Sequence, residues 1–274
     1  MIDLPDTNSI YSMADLIEFR VIHGNKPMSK AKMASLLRSY VPDLQADTVD
    51  SVIGELERRC HLYGKSTPFA MDGDRIDPVI KWEKTPELLI CLIFSLKGVR
   101  KQKGIDDGTK LFERLSNEAE KLYLGGKAEV VGFPNKNNLI KQIAAIAEKT
   151  SESIGPRKPN PKDKDKGVDI IAWKPHGDNR HNQIVLLLQC GAGINSSDKK
   201  PISVRAWREF INWSADPIPG IVIPHIVSIE GFTELRDDYN LIFDRVRIYK
   251  AVYKKPLHDT TLRKQILNWC KSNI

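Results

Sequence analysis

Two apolar runs, residues 168–173 (VDIIAW) and 183–190 (QIVLLLQC), flank the polar stretch KPHGDNRHNQ, and this pairing constrains the chain more than any other feature. Each run is too short for a buried helix and is rich in β-branched or bulky apolar residues, so each reads as a core strand. The polar connector makes them an antiparallel hairpin, and the next strand is reached through a helix. A mixed sheet follows. Asp169 stands near the start of the first strand, and Gln189, Cys190 and Gly191 close the second, so the spacing predicts Asp169 and Gln189 side by side at one sheet edge.

The remaining pattern divides the chain in three. Residues 1–85 show three short amphipathic helices, around MADLIEFRVIHG, KAKMASLLRSY and VDSVIGELERRCHLYG, followed by a hairpin turning at Asp72-Gly73. That is the element order of a winged helix. It has two readings: a recognition helix entering a DNA groove, with Arg58, Arg59, Lys65 or Arg75 on phosphates, or an interaction platform. Residues 86–130 read as a helical connector, with Leu111, Phe112, Leu115, Ala119 and Leu122 on one face. Residues 131–274 read as an α/β domain: a helix with the stripe Leu139, Ile140, Ile143, Ile146 and Ala147, a basic loop over 157–166, the two strands, and a helix from about Ser203 to Trp213. A strand over 220–229, a β-like run over 240–253 and a terminal helix from about Asp259 complete it.

Composition narrows the function class. The 274 residues are 41% hydrophobic and 28% charged, which suits a globular chain, and a net charge of +7 permits a polyanionic partner. The opening residues carry Asp3, Asp6, Asp15 and Glu18 with no unbroken apolar stretch, unlike a secretory signal, and no run approaches a membrane span, so a cytoplasmic protein with no membrane partner is expected. Cys60, Cys91, Cys190 and Cys270 are widely spaced without Cys/His ligand spacing, and are expected reduced and buried. His176 and His181 flank a turn and read as exposed loop residues.

The order helix with Glu148, strand with Gly167-Val168-Asp169-Ile170-Ile171, strand ending Leu187-Leu188-Gln189-Cys190, helix and strand resembles the PD-(D/E)XK nuclease superfamily, in particular its restriction-endonuclease branch with glutamine in the third motif, as in Mrr-like enzymes. The likeness covers about the last half of the chain, and the same strands resemble sequences of bacterial anti-phage systems. It implies a restriction-endonuclease-like mixed sheet and Mg²⁺- or Mn²⁺-dependent hydrolysis of nucleic acid, most naturally double-stranded DNA, with a homo-oligomer or a defence-system partner. Asp169 would be the anionic ligand, Gln189 and the Cys190 carbonyl neutral oxygen ligands, and Glu148 a residue for a second ion or for orienting water.

One departure weakens the enzyme reading: the position two residues after Gln189, where the family carries lysine, is Gly191. Lys166, Lys174, Lys199 and Lys200 are the candidates to replace it. Arg157, Lys158, Lys164 and Arg205 join them as candidate phosphate contacts. The alternative is a nuclease-fold subunit without activity that binds nucleic acid or assembles with a partner.

Overall fold

The computed structural model describes residues 6–98, 105–131, 139–159, 166–193 and 199–274. The N-terminal unit runs α1 (Ile10–Gly24), β1 (Met28–Ser29), α2 (Lys30–Arg38), α3 (Ala46–Tyr63), β2 (Phe69–Asp72) and β3 (Arg75–Pro78). The strands form an antiparallel sheet in the order β1-β3-β2, and Gly73 turns the β2–β3 hairpin at φ 55°, where a side chain would be strained. Three helices plus this small sheet make the winged-helix arrangement. Helix α1 begins earlier than its apolar pattern suggests, because Ser9 Oγ accepts from Ser12 N at 3.3 Å.

Helices α4 (Pro86–Lys97) and α5 (Ile105–Leu124) lead into β4 (Lys127–Val130), α6 (Leu139–Thr150), β5 (Ser153–Ile154), β6 (Ile170–Lys174) and β7 (Ile184–Cys190). Then come α7 (Val204–Arg208), β8 (Ile211–Asn212), β9 (Ile218–Val222), α8 (Ile229–Asp238), β10 (Leu241–Phe243), α9 (Arg245–Val252) and α10 (Leu262–Asn273). The main sheet has the order β10-β9-β7-β6-β4: β6 is antiparallel to both of its neighbours, β4 and β7, while β7, β9 and β10 are parallel. The β7/β9 pair is therefore the point where the sheet changes sense.

Alternation along β6 and β7 divides the core in two. Ile170, Ala172, Leu186, Leu188 and Cys190 face α5, whose Phe112, Leu115 and Ala119 join the same cluster. Ile171, Trp173, Val185 and Leu187 face the other way, against Ile143, Ile146 and Ala147 of α6 and Trp207 and Phe210. Full burial of each such side chain is worth about 1.5–3 kcal/mol, which is why the two apolar runs dominate the fold.

Three expectations change. Residues 86–130 are no separate connector: β4 is an edge strand of the main sheet, α5 covers β4 and β6, and α4 packs between α1 and α10. The β-like run over 240–253 breaks at Asp244, whose carboxylate accepts from Arg247 N at 3.0 Å and caps α9; Val246, Tyr249 and Val252 then recur at helical spacing. The helix from Ser203 stops at Arg208, and the strand from Gly220 ends at Val222, two residues before Pro224.

A buried ion network ties the winged-helix unit to the sheet domain. Arg59 donates to Asp15 at 2.5 Å, Glu18 at 2.9 Å and Glu55 at 2.7 Å. Arg245, from the start of α9, reaches Asp15 at 2.6 Å, Glu18 at 3.0 Å and the Tyr63 hydroxyl at 3.2 Å. Both guanidinium groups are fully buried. Although burial opposes ionisation, the two arginines hold the Asp15 carboxyl well below the usual carboxylate range.

Candidate functional site

A bulge decides where Asp169 points. The β6/β7 register sets Ile170 opposite Leu188, yet Asp169 N also donates to Leu188 O at 2.8 Å, so two residues stand against one. The side-chain alternation shifts accordingly: Val168 packs on the α6 side and Ile170 on the α5 side. Asp169 is thereby turned toward α5, and its Oδ2 accepts from Cys190 N at 2.7 Å.

This separates the pair that the sequence spacing set side by side. Gln189 follows the alternation of Val185 and Leu187 onto the α6 side, and its Nε2 lies 2.9 Å from where a Cβ on Gly167 would stand. Gly167, at φ 82°, accommodates both the turn and that amide. Gln189 Oε1 is buried without a hydrogen-bond partner among the described residues. The side chain beside Asp169 on the α5 face is Cys190.

A second carboxylate, Glu113 of α5, is near enough for its charge to bear on Cys190. Burial first, then the charges of Asp169 and Glu113, push the Cys190 thiol well above its ordinary value, while a hydrogen bond with Ser116 works against them. Ser116 is one turn beyond Glu113 on α5, so this turn of the helix lies over Cys190. Glu148 is exposed on α6; Lys149 beside it pairs with Glu129 of β4, and four residues on Glu152 holds Ser214, whose hydroxyl accepts from Asn182 N in the β6–β7 connection.

The candidate lysines lie in different places. Lys199 Nζ donates to the Cys190 carbonyl at 2.6 Å, and Tyr239 Oη anchors the same residue by donating to Lys199 O at 2.7 Å. Lys174 instead donates to Gly125 O at the far end of β6, roughly 16 Å of strand from Asp169. Lys166 lies over the Phe210 ring at 5.1 Å on the α6 side. Lys158, Lys200 and Arg205 are exposed, Arg157 pairs with Glu209 at 3.0 Å, and Lys164 lies outside the described residues.

Asp169 and Lys199 therefore bond the Cys190 backbone at the carboxyl end of β7, Asp169 at its amide and Lys199 at its carbonyl, and the charge of Glu113 bears on Cys190 from α5. The two carboxylates suit a hard cation such as Mg²⁺ or Mn²⁺, which needs few protein ligands. The other two expected ligands do not fit: Gln189 faces away and the Cys190 carbonyl holds the Lys199 ammonium. Among the described residues no group of three or more His, Cys, Asp or Glu side chains is arranged to hold a metal ion.

Of the four residues expected on phosphates in the winged-helix unit, Lys65 is exposed and the other three are paired. Arg59 is buried in the ion network, Arg58 is bidentate to Glu55 at 2.6 and 2.9 Å, and Arg75 pairs with Asp77 at 2.7 Å. The exposed face of α3 carries Asp47, Glu57 and Asp50, the last paired with Lys30, and so does not attract a polyanion. Of the two sequence readings, this charge pattern supports the interaction platform.

Glu113 was not legible as a site residue because it lies within the apolar stripe of α5, between Phe112 and Leu115. The signal lay in the neighbouring positions Glu113, Ser116, Asn117 and Glu120, spaced by helical turns on a helix directly preceding the first strand. Among the described residues no helix is long and apolar enough to cross a membrane. Comparison with protein-family models, curated proteins and solved structures returns no match for this chain.

Proposed function

We propose that this chain is a nuclease-fold protein that hydrolyses phosphodiester bonds of nucleic acid, double-stranded DNA first, with Mg²⁺ or Mn²⁺, in a bacterial defence setting and with a partner or a second copy. The bonding of Asp169 and Lys199 to the Cys190 backbone, with the Glu113 charge bearing on the same residue from α5, carries the reading. It restores the acid, acid and lysine composition that Gly191 removes from the local motif. Asp169 and Glu113 would hold the cation, which supplies charge neutralisation at the phosphate and an acidified water. Asp169 is oriented by the Cys190 amide; Lys199 offers an ammonium to the developing negative charge. The basic residues Arg205, Lys158 and Lys200 are exposed and available to the backbone of the substrate.

A second reading has its own observation. Lys199 occupies the carbonyl where a cation would find a neutral ligand, which favours a subunit that binds nucleic acid without cutting it. The test is cleavage of supercoiled plasmid and of single-stranded DNA and RNA in Mg²⁺ and Mn²⁺, with EDTA, Asp169→Ala, Glu113→Gln and Lys199→Ala alongside. Metal-dependent cutting lost at least a hundredfold in all three variants supports the first reading. Binding unaffected by divalent metal, with no cutting, supports the second. Cutting retained by Asp169→Ala would refute the site.

A further inference from the structure

A groove of about 980 Å³ lies away from Asp169, between the end of α3, the end of α5, strand β10 and helix α9, and shares no residue with the sheet-edge site. Its floor is apolar: Leu62, Leu122, Tyr123, Ile229, Phe232 and Phe243. Three of these are strongly exposed for their type, Leu62 at 36%, Tyr123 at 57% and Ile229 at 67%. Isolated exposed apolar residues are ordinary, but three sharing one concave surface mark a contact site.

The rim is cationic. Arg58, Arg247, Lys250 and Lys255 line the groove against one carboxylate, Asp244, which is 3% exposed and spent on capping α9. Arg58 is matched by Glu55, but Arg247 and Lys250 donate to the neutral carbonyls of Ile242, at 2.6 Å, and Leu62, at 3.0 Å, and so keep their charge at the rim. The Arg247 contact also occupies a carbonyl of edge strand β10, which closes that edge to an added strand.

We propose that this groove seats an amphipathic helix of a partner protein, with aliphatic anchors on its buried face and carboxylates along its flanks. An apolar floor takes side chains spaced at i, i+3 and i+7, and the cationic rim selects acidic flanks over basic ones. A nucleic acid fits less well, because the Phe232 ring is covered by Arg247 at 4.9 Å and Phe243 is buried with Tyr123 edge-on to it at 82°, which leaves bases few free faces to stack on. The groove lies on both the winged-helix unit and the sheet domain, so its occupant would contact both.

The test uses a short fluorescent helical peptide with leucines at that spacing and glutamates elsewhere, titrated by anisotropy into the full chain. Its lysine-flanked and leucine-free counterparts, and an oligothymidylate, serve as controls. The expected result is saturable, salt-weakened binding of the acidic peptide alone, reduced at least tenfold by Ile229→Asp and by the double variant Lys250→Glu, Lys255→Glu, each checked for native urea unfolding. Equal binding of the lysine-flanked peptide, no binding at all, or indifference to both variants would overturn the proposal. So would oligothymidylate binding with the same variant sensitivity in place of the peptide, or self-association abolished by the variants, which would assign the groove to nucleic acid or to a second copy.

Discussion

Glu120 is fully buried on α5, one turn beyond Ser116, and neither of its oxygens has a hydrogen-bond partner among the described residues. Desolvation alone pushes its carboxyl well above the usual range, so the folded chain holds it protonated where the unfolded chain has released the proton. Folding is then linked to proton binding, and the side chain's contribution is undiminished below the ordinary carboxylate value and erodes as pH rises. The slope is about 1.4 kcal/mol per pH unit, from that ordinary value up to the folded-state value. Glu120→Gln keeps the shape and removes the titration. The variant should match the parent near pH 4 to within about 1 kcal/mol, then gain about 1.4 kcal/mol on it for each further pH unit until the buried group ionises. Urea unfolding of both proteins at half-unit steps from pH 4 to 8 reads the difference, and the pH at which it levels off reports the buried pKa. A constant difference across the range would show that Glu120 is solvated or paired, and would refute the packing of α5 on the sheet.

Two further perturbations test how the site is held. Arg245→Met leaves Asp15 and Glu18 buried with Arg59 as their one remaining cation among the described residues, and should cost about 3–5 kcal/mol in urea unfolding at neutral pH; a loss below about 1 kcal/mol would mean that the network is wetter than its burial implies. Gly167→Ala places a Cβ at φ 82° and against the Gln189 amide, and should destabilise by about 1–2 kcal/mol while leaving α-helical circular dichroism unchanged. No change in stability would remove the close approach described for that glycine.

The main sheet was legible because its strands are written in runs with little alternative: IIAW and VLLL have no other place to be than between two layers, and the polar decapeptide between them leaves an antiparallel hairpin. The winged-helix order was legible for a similar reason, with a glycine at the hairpin turn, where φ is positive. What failed had competing local signals. LIF and VRIYKAVY form one continuous β-like text, and only the capping geometry of Asp244 divides strand from helix. The division at residue 130 failed because β4 is short and mixed, and nothing local says which sheet it joins.

The site shows the same limit at finer scale. Sequence spacing places Asp169 and Gln189 at one edge, and both are there, but facing is a property of the ladder and a single bulge reverses it. No composition rule distinguishes a strand that starts at Val168 from one that bulges at Asp169. The consequence is chemical: with Asp169 turned toward α5, the residues able to act with it come from α5 and from the segment carrying Lys199, and the Gln189 amide goes to Gly167. An ammonium on the Cys190 carbonyl then has two outcomes that one substitution separates. If Lys199 assists cleavage, Lys199→Ala lowers the rate with metal saturating; if it blocks the carbonyl, the same variant should raise divalent-cation affinity and bring out activity where the parent has none. Calorimetric titration of Mn²⁺ into parent and variant decides between them, and equal affinities with equal activity would show that the contact serves neither role.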